Sequence, residues 1–238
     1  MDTARLIAYA LFGVTVLFIG SSFVTPFAGY RPEDFPIPQD DPPAQPAGYA
    51  FAIWGVIYLW LLGSAVFGAL QRAKDAAWTR ARKPLIASLG VGMFWLAIAS
   101  QSPLWATLMI WGMFSLALWA LVVAPRSDRW LFRAPVALYA GWLAAASSVS
   151  LGLIGGGYGL FWGEIGWAAF VAILATLIAI AVLLRVPDTA EFGIAVTWAL
   201  IAVAVKSAQD ATGIALIAGL SAMGIGVLAI ISATKDTD

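Results

Sequence analysis

Histidine and cysteine are both absent from the 238 residues, and charged side chains make up only 11% of the chain. Without cysteine there can be no disulfide, no thiolate metal ligand and no thiol nucleophile. Without histidine there can be no imidazole base and no imidazole ligand for a metal or a haem. Conventional hydrolytic or redox catalysis is therefore not expected, although these absences leave the question of an enzymatic activity open.

Hydrophobic residues, by contrast, make up 62% of the chain. A soluble domain has about a quarter of its residues charged, more than twice the fraction found here. Long apolar segments cross a bilayer most readily as helices, which satisfy their own backbone hydrogen bonds. We therefore expect an all-α integral membrane protein with membrane lipids as partners. The net charge of zero gives no support to nucleic acid as a partner, and none is expected.

Eight apolar segments predict eight transmembrane helices, over residues 4–25, 49–71, 84–100, 103–124, 134–155, 162–185, 192–206 and 211–232. The basic residues test this count, because cytoplasmic loops are enriched in Lys and Arg. If successive loops alternate sides, eleven Lys or Arg residues lie on one side and only Arg31 and Lys206 lie on the other. We therefore expect both termini in the cytoplasm and a bacterial inner membrane as the location.

The connections between the spans carry several local expectations. The exterior loop over residues 26–48 contains seven prolines, which favour extended segments. The loop is either a structureless spacer or a lid folded over the exterior mouth of the bundle. The glycine-rich stretch 152–159 lacks the Lys of a phosphate loop and predicts a flexible exterior turn. Trp78 and Trp130 lie in basic loops and are expected at the membrane interface, as is Lys206 at a span end.

Tryptophan is abundant, with 12 residues, and several lie inside predicted spans rather than at their ends. Trp54 and Tyr58 are four residues apart, so they share one face of a helix. Tyr139 and Trp142 are three apart in another span and also share a face. Aromatic residues in a span commonly pack in the core or face lipid. If these faces converge, however, they form a pocket suited to a flat, conjugated ligand.

These residues resemble the tryptophan-rich sensory protein, or translocator protein (TspO/MBR), family. The segment PAGYAFAIWGVIY is similar to the signature P-x-W-x-F-P-x-x-W-x-x-L-Y that opens the second helix of that family. Trp54 and Tyr58 match its later Trp and Tyr, and Tyr49 stands where its first Trp is expected.

Two further family elements are matched in part. VGMFW supplies the Trp of the third-helix element N-x-x-W as Trp95, with Gly92 in place of Asn. LYAGWLAAASSVS supplies Tyr139 and Trp142 of the fifth-helix element, with Ser150 in place of Asn. The departures from the pattern indicate a divergent branch of the family.

The resemblance implies a five-helix bundle over residues 1–155, and residues 156–238 would then be an added three-helix membrane extension. It also implies an aromatic pocket inside the bundle for a porphyrin or other tetrapyrrole, a sterol, or a related hydrophobic molecule. The ligand would serve sensing, transport or regulation. Six residues are expected to bind it: Tyr49, Trp54, Tyr58, Trp95, Tyr139 and Trp142.

Two other functions stay open on the sequence. The protein could be a structural or accessory subunit of a larger membrane complex, with the extension as its interface. Small residues spaced four apart in the last span, Ala215 with Gly219 and Ala222 with Gly226, indicate close helix packing, either internal or in a homodimer. A transporter would show inverted repeats or charges at mid-membrane, and neither is evident.

Overall fold

The computed structural model describes residues 2–25 and 29–234. These residues form eight α-helices, each long and apolar enough to cross a membrane. The fold class expected from the sequence is thereby confirmed. The helices are α1 (Thr3–Val24), α2 (Ile53–Gln71), α3 (Ala76–Ala99), α4 (Pro103–Val122), α5 (Ala134–Gly157), α6 (Glu164–Arg185), α7 (Ala190–Ser207) and α8 (Thr212–Thr234). Short 3₁₀ turns at Pro32–Asp34 and Gly48–Ala52 precede α2, and a π-helical turn at Arg129–Arg133 precedes α5.

The bundle has two ends that differ in charge. We call the end where α1, α3, α5 and α7 finish the loop end, because residues 29–52 lie there, and the other end the basic end. Arg31 and Lys206 lie at the loop end, and the other described Lys and Arg residues lie toward the basic end, as the hydropathy count predicted. Lys235, which that count included, lies outside the described residues.

Helix α3 begins at Ala76, eight residues before the predicted start at residue 84. Asp75 caps its first turn by accepting a hydrogen bond from the backbone N–H of Trp78. Residues 76–83 contain three basic side chains and one Thr beside three alanines that favour helix. Their low mean hydropathy suggests a loop, whereas capping and helix propensity make a helix. Pro84 is accommodated inside α3.

Trp78 is consequently buried in the protein rather than placed at a membrane interface, so that expectation was wrong. Its side chain is fully buried, and its indole N–H donates to Asp128 Oδ2 at 2.8 Å. Arg72 also donates to Asp128, at 2.9 Å. The buried Arg82 lies over the Trp78 ring and donates to the carbonyls of Gly68 and Arg72 at the end of α2. The basic end is therefore held by specific polar contacts.

Helix α5 lies at the centre of the bundle. In the apolar stretch of the span that contains α5, 78% of the residues are buried, whereas the corresponding fraction for α1 is 22%. It packs against α4 on one side and against α6 and α7 on the other. Gly141 allows a close approach to α7, because an added Cβ would collide with the Phe192 carbonyl. The division of the chain near residue 155 stays a prediction, since α5 is shared by helices from both predicted parts.

The described part of the first loop, residues 29–48, folds back onto the loop end of the bundle. Ile37 donates its backbone N–H to the Gly157 carbonyl at 2.8 Å, and Ala47 donates to the Ala202 carbonyl at 3.2 Å. The side chain of Gln39 is buried and donates to Glu164 at 3.4 Å. Of the two interpretations given for this loop, the structure supports a lid and not a structureless spacer. Residues 26–28 lie outside the described residues.

Glycines at the end of α5 receive the side chains of this loop. Residues 152–157 are helical, so the expectation of a flexible turn was wrong for them. A Cβ at Gly157 would collide with the Phe35 ring, and one at Gly156 would lie 2.8 Å from Gln39 Oε1. The absence of side chains here lets the loop seat directly on the helix.

Candidate functional site

A cavity of about 1150 Å³ lies beneath the folded loop. Helices α1 to α5 form most of its wall, and α7 completes the wall with Ala199, Val203 and Lys206. On the inner side it reaches Met113, ten residues into α4, which is about 15 Å along that helix. One of the three helices assigned to the extension therefore contributes to the pocket that the sequence placed within the first five.

Aromatic rings form one side of this cavity. Trp54 and Tyr58 stack with their ring centres 5.3 Å apart, as their spacing on one helix face predicts. Trp142 from α5 stands edge-on to Trp54 at 6.3 Å. Phe18 from α1 stands edge-on to both Trp54 and Tyr58. Three helices thus bring their aromatic faces together, and Trp54, Tyr58 and Trp142 all line the space.

Trp95 also lines the cavity, from α3. Its indole N–H donates to the Ala106 carbonyl at 2.9 Å, which ties α3 to α4. Nearby, a Cβ at Gly92 would lie 2.6 Å from the Phe18 ring and 2.9 Å from Met113. Gly92, the residue that departs from the family's Asn, therefore leaves the room that Phe18 occupies here.

Tyr139 lies behind the aromatic wall rather than on the cavity surface. It is fully buried, and its hydroxyl lies 3.1 Å from Ser88 Oγ. Ser88 uses its one hydroxyl hydrogen on the Met113 carbonyl at 2.8 Å, so Tyr139 is the donor of the pair. Its ring contacts Phe18 and Trp54. Tyr139 therefore supports the wall from behind.

Tyr49 lies away from the cavity. The chain at Gly48–Ala52 is a 3₁₀ turn rather than the start of α2, and this turns the Tyr49 ring outward. The ring is 46% exposed and packs edge-on against Trp198 of α7 at 5.5 Å. Trp198 donates its indole N–H to the Ala50 carbonyl at 2.9 Å, so this pair joins α7 to the turn. Phe51, which the sequence analysis did not select, lines the cavity instead and stands edge-on to Trp142 at 5.8 Å.

The mouth of the cavity is polar and was not anticipated. Lys206 was expected to be an interfacial anchor, but its side chain is only 16% exposed and its Nζ lies 2.6 Å from Asp41 Oδ1. Tyr30 lies at the same rim. Burial, and secondarily the charge of Asp34, raises the pKa of Tyr30, so this phenol stays neutral. In the sequence, the only indication of this site was a lone Lys near a span end. Its partner, Asp41, lies 165 positions earlier in the chain, so the ion pair could not be predicted.

The lining of the cavity is mainly apolar. The wall presents ring faces and small side chains, with Lys206 and Asp41 as the charged lining residues. Within residues 2–25 and 29–234, no three acidic side chains come together as a group that could hold a metal ion.

Comparison with known proteins identifies the family. A family model described as TSPO-like protein matches residues 6–233. The match runs through all eight helices and includes the part that the sequence pattern set apart as an extension. Neither the curated proteins nor the solved structures gave a match. The matched range covers nearly the whole chain, and the chain therefore belongs to the family of TSPO-like proteins.

Proposed function

We propose that this integral membrane protein binds a hydrophobic, planar ligand in the aromatic cavity, for sensing, transport or regulation. The ligand class is tetrapyrrole-like, such as a porphyrin, or another polycyclic or isoprenoid lipid. The observation that carries the proposal is the convergence of Trp54, Tyr58 and Trp142 on one cavity from two different helices.

The size of the cavity supports a large ligand. Pockets for drug-sized molecules span about 300–1,000 Å³, and this one has about 1150 Å³. Its composition supports an apolar one, because most lining residues are aromatic, aliphatic or small. The Trp95 indole N–H is already bonded to the protein, so that ring offers a face rather than a donor. Recognition by ring faces favours a flat, conjugated body.

The edge-on rings also leave a stacking surface. Trp142 stands at 84° to Trp54, so a planar ligand that lies along one ring meets the edge of the other. Such offset and edge-to-face contacts are the favourable arrangements for aromatic pairs.

A double substitution, Trp54→Phe with Trp142→Phe, tests the site directly. Each change removes ring area from the wall, and together they are expected to weaken porphyrin binding about tenfold. Binding is followed through the absorption of the porphyrin, because removing tryptophans also changes the emission of the protein. Trp105→Phe is the matched control, since Trp105 is 62% exposed and lies outside the cavity. An unchanged affinity in the double variant would show that the site is elsewhere.

The alternative is a structural or accessory subunit of a larger membrane complex. It is favoured by the outer face of α8, where Gly219 and Gly224 meet no atom within 4 Å of an added Cβ. Small residues of this kind allow another helix to approach closely, in a homodimer or in a complex partner. Gentle detergent extraction and native-size measurement separate the two functions. A protein that migrates alone, as monomer or dimer, would count against the accessory role.

We also propose a bacterial inner membrane as the location, with the basic end and both termini in the cytoplasm. The concentration of Lys and Arg at that end supports this orientation, as does their scarcity at the loop end. The ligand cavity then opens toward the exterior side, beneath the loop.

A further inference from the structure

Lys206 places a positive charge at the mouth of the cavity. Among the described residues that line the cavity, Lys206 is the only cation and Asp41 the only acid. Lys206 lies in the last turn of α7, and its side chain is largely buried. Its ammonium group pairs with Asp41 at 2.6 Å and also donates to the Pro42 carbonyl at 3.4 Å. The cation is therefore held at the boundary between the apolar cavity and the polar loop.

The two partners of this ion pair differ sharply in exposure. The side chain of Asp41 is 80% exposed, whereas that of Lys206 is 16% exposed. Solvated carboxylates gain little from an ion pair, because water already stabilises their charge. Asp41 can therefore leave Lys206 and return to water at small cost. Leaving Lys206 unpaired is more costly, because a buried ammonium group needs a counter-charge.

From this asymmetry we infer that the ligand is an amphiphilic anion, a flat apolar body with an acidic group that replaces Asp41 on Lys206. The apolar body lies against Trp54 and Trp142, and its carboxylate reaches the mouth. The exchange keeps Lys206 paired and releases a carboxylate that is already mostly in water. This inference rests on the proposed function, to which it adds the charge of the ligand and its orientation.

A pair of probes with the same ring system separates charge from shape. Protoporphyrin IX carries two carboxylates, and its dimethyl ester has the same macrocycle without them. Binding of each to the full-length protein is measured in nanodiscs of uncharged lipid, so that lipid charge does not contribute. The wild-type protein is expected to prefer the acid about tenfold, as for a hydrogen bond to a charged group.

Lys206→Met keeps the apolar stem and removes the charge. It is expected to abolish the preference for the acid and to leave the affinity for the ester within about twofold. Lys206→Arg keeps the charge and should retain the preference. Asp41→Asn removes the competing carboxylate and should raise affinity for the acid about threefold, since the pair it breaks is weak. Lys83→Met, an exposed cation of α3 outside this cavity, is the matched control.

The outcomes separate this inference from the proposed function. If neither probe binds the wild-type protein, the proposed function itself fails. The inference is overturned if the ester binds the wild-type protein as well as the acid does, or if Lys206→Met lowers both affinities equally. In either case the cavity binds a ligand, but Lys206 does not recognise the ligand's negative charge. If Lys83→Met removes the preference as fully as Lys206→Met, the effect is one of net charge and the inference is overturned. A preserved melting temperature in each variant shows that the fold is retained.

Discussion

Individual tryptophans in this protein have different roles that depend on what surrounds the indole N–H. The N–H of Trp95 is bonded to the Ala106 carbonyl, and that of Trp198 to the Ala50 carbonyl, so these rings join elements. The N–H of Trp60 is bonded to the Trp130 carbonyl, and the two rings stack. Trp54 and Trp142 combine a location on the cavity wall with rings from different helices. Tryptophan therefore occurs both at positions that pack helices together and at positions on the cavity wall. Sequence spacing alone distinguishes the two kinds of position only in part.

The Asp128 carboxylate predicts acid sensitivity at the basic end. The hydrogen bond from Arg72 is the main cause that lowers the pKa of Asp128, and the bond from Trp78 adds to it. A lowered folded-state pKa stabilises the protein above the ordinary carboxyl pKa of about 3.9. This stabilisation is lost as the pH falls below that value and through the lowered pKa. At pH 7 we expect Asp128→Asn to cost about 1–2 kcal/mol of unfolding free energy.

Thermal unfolding of wild type and Asp128→Asn between pH 7 and pH 3 measures this contribution. The difference between the two melting temperatures is expected to be constant near neutral pH and to shrink below about pH 4. A difference that persists unchanged at low pH would mean that the ionised carboxylate is not what stabilises this end.

At the scale of elements, the helices form where the sequence combines apolar length with capping residues. Asp75 begins α3 with its carboxylate, and Ser102 with Pro103 begins α4. Polar residues in the first two turns of α3 concealed its true start from a hydropathy count. The position of each helix in the bundle depends instead on small residues. In α5, the Ala, Gly and Ser residues allow neighbours to pack on several sides.

Gly141 predicts a sharp effect of a single methyl group. A Cβ at this position would meet the backbone of Phe192, which cannot move as a side-chain end can. Gly141→Ala must therefore separate α5 from α7, at an expected cost of about 1–3 kcal/mol. Gly112→Ala is the matched control within α4, where an added Cβ meets open space. It should be neutral or stabilise the helix by up to about 1 kcal/mol.

Chemical denaturation of both glycine variants in the same detergent provides the comparison. Because α7 forms part of the cavity wall, Gly141→Ala should also weaken binding of the porphyrin probe. Equal stabilities for the two variants would mean that the approach of α5 to α7 is looser than the structure indicates.

At the scale of the whole molecule, polar contacts at both ends join the first five helices to the last three. Arg129 pairs with the largely buried Glu191 of α7 at 3.0 Å. Arg133 donates to the Pro187 carbonyl at 2.7 Å and to the Ala124 carbonyl at 2.9 Å. Together with the loop-end contacts of Lys206, these bonds connect α7 and the turn before it to the first five helices.

A split protein tests whether the first five helices fold by themselves. Residues 1–160 contain α1 to α5 but expose the face of α5 that packs against α6 and α7. We expect this fragment alone to aggregate on size-exclusion chromatography, and co-expression with residues 161–238 to restore a monodisperse complex that binds the porphyrin probe. A monodisperse, ligand-binding fragment would instead support an independent domain over residues 1–155.

The membrane character, the eight helices and the pairing of Trp54 with Tyr58 follow from the sequence by itself, because hydropathy and helical spacing are local properties. The resemblance to the family also lies in short local patterns around Trp54, Trp95 and Trp142. Only the tertiary structure determined which of the six predicted ligand-binding side chains share a cavity. Tyr49 turns away because a 3₁₀ turn replaces the first turn of α2, and Tyr139 lies behind Phe18.

The same holds for the mouth of the cavity. Asp41 and Lys206 meet at 2.6 Å although 165 positions separate them, and no local pattern connects them. Their pairing depends on the loop folding over α5 and on α7 closing the cavity wall. Both contacts require a glycine in α5, because a Cβ at Gly157 would collide with the loop and one at Gly141 would collide with α7. Local hydropathy and capping determined where each helix forms. Close packing between helices that are distant in the sequence determined which side chains line the cavity.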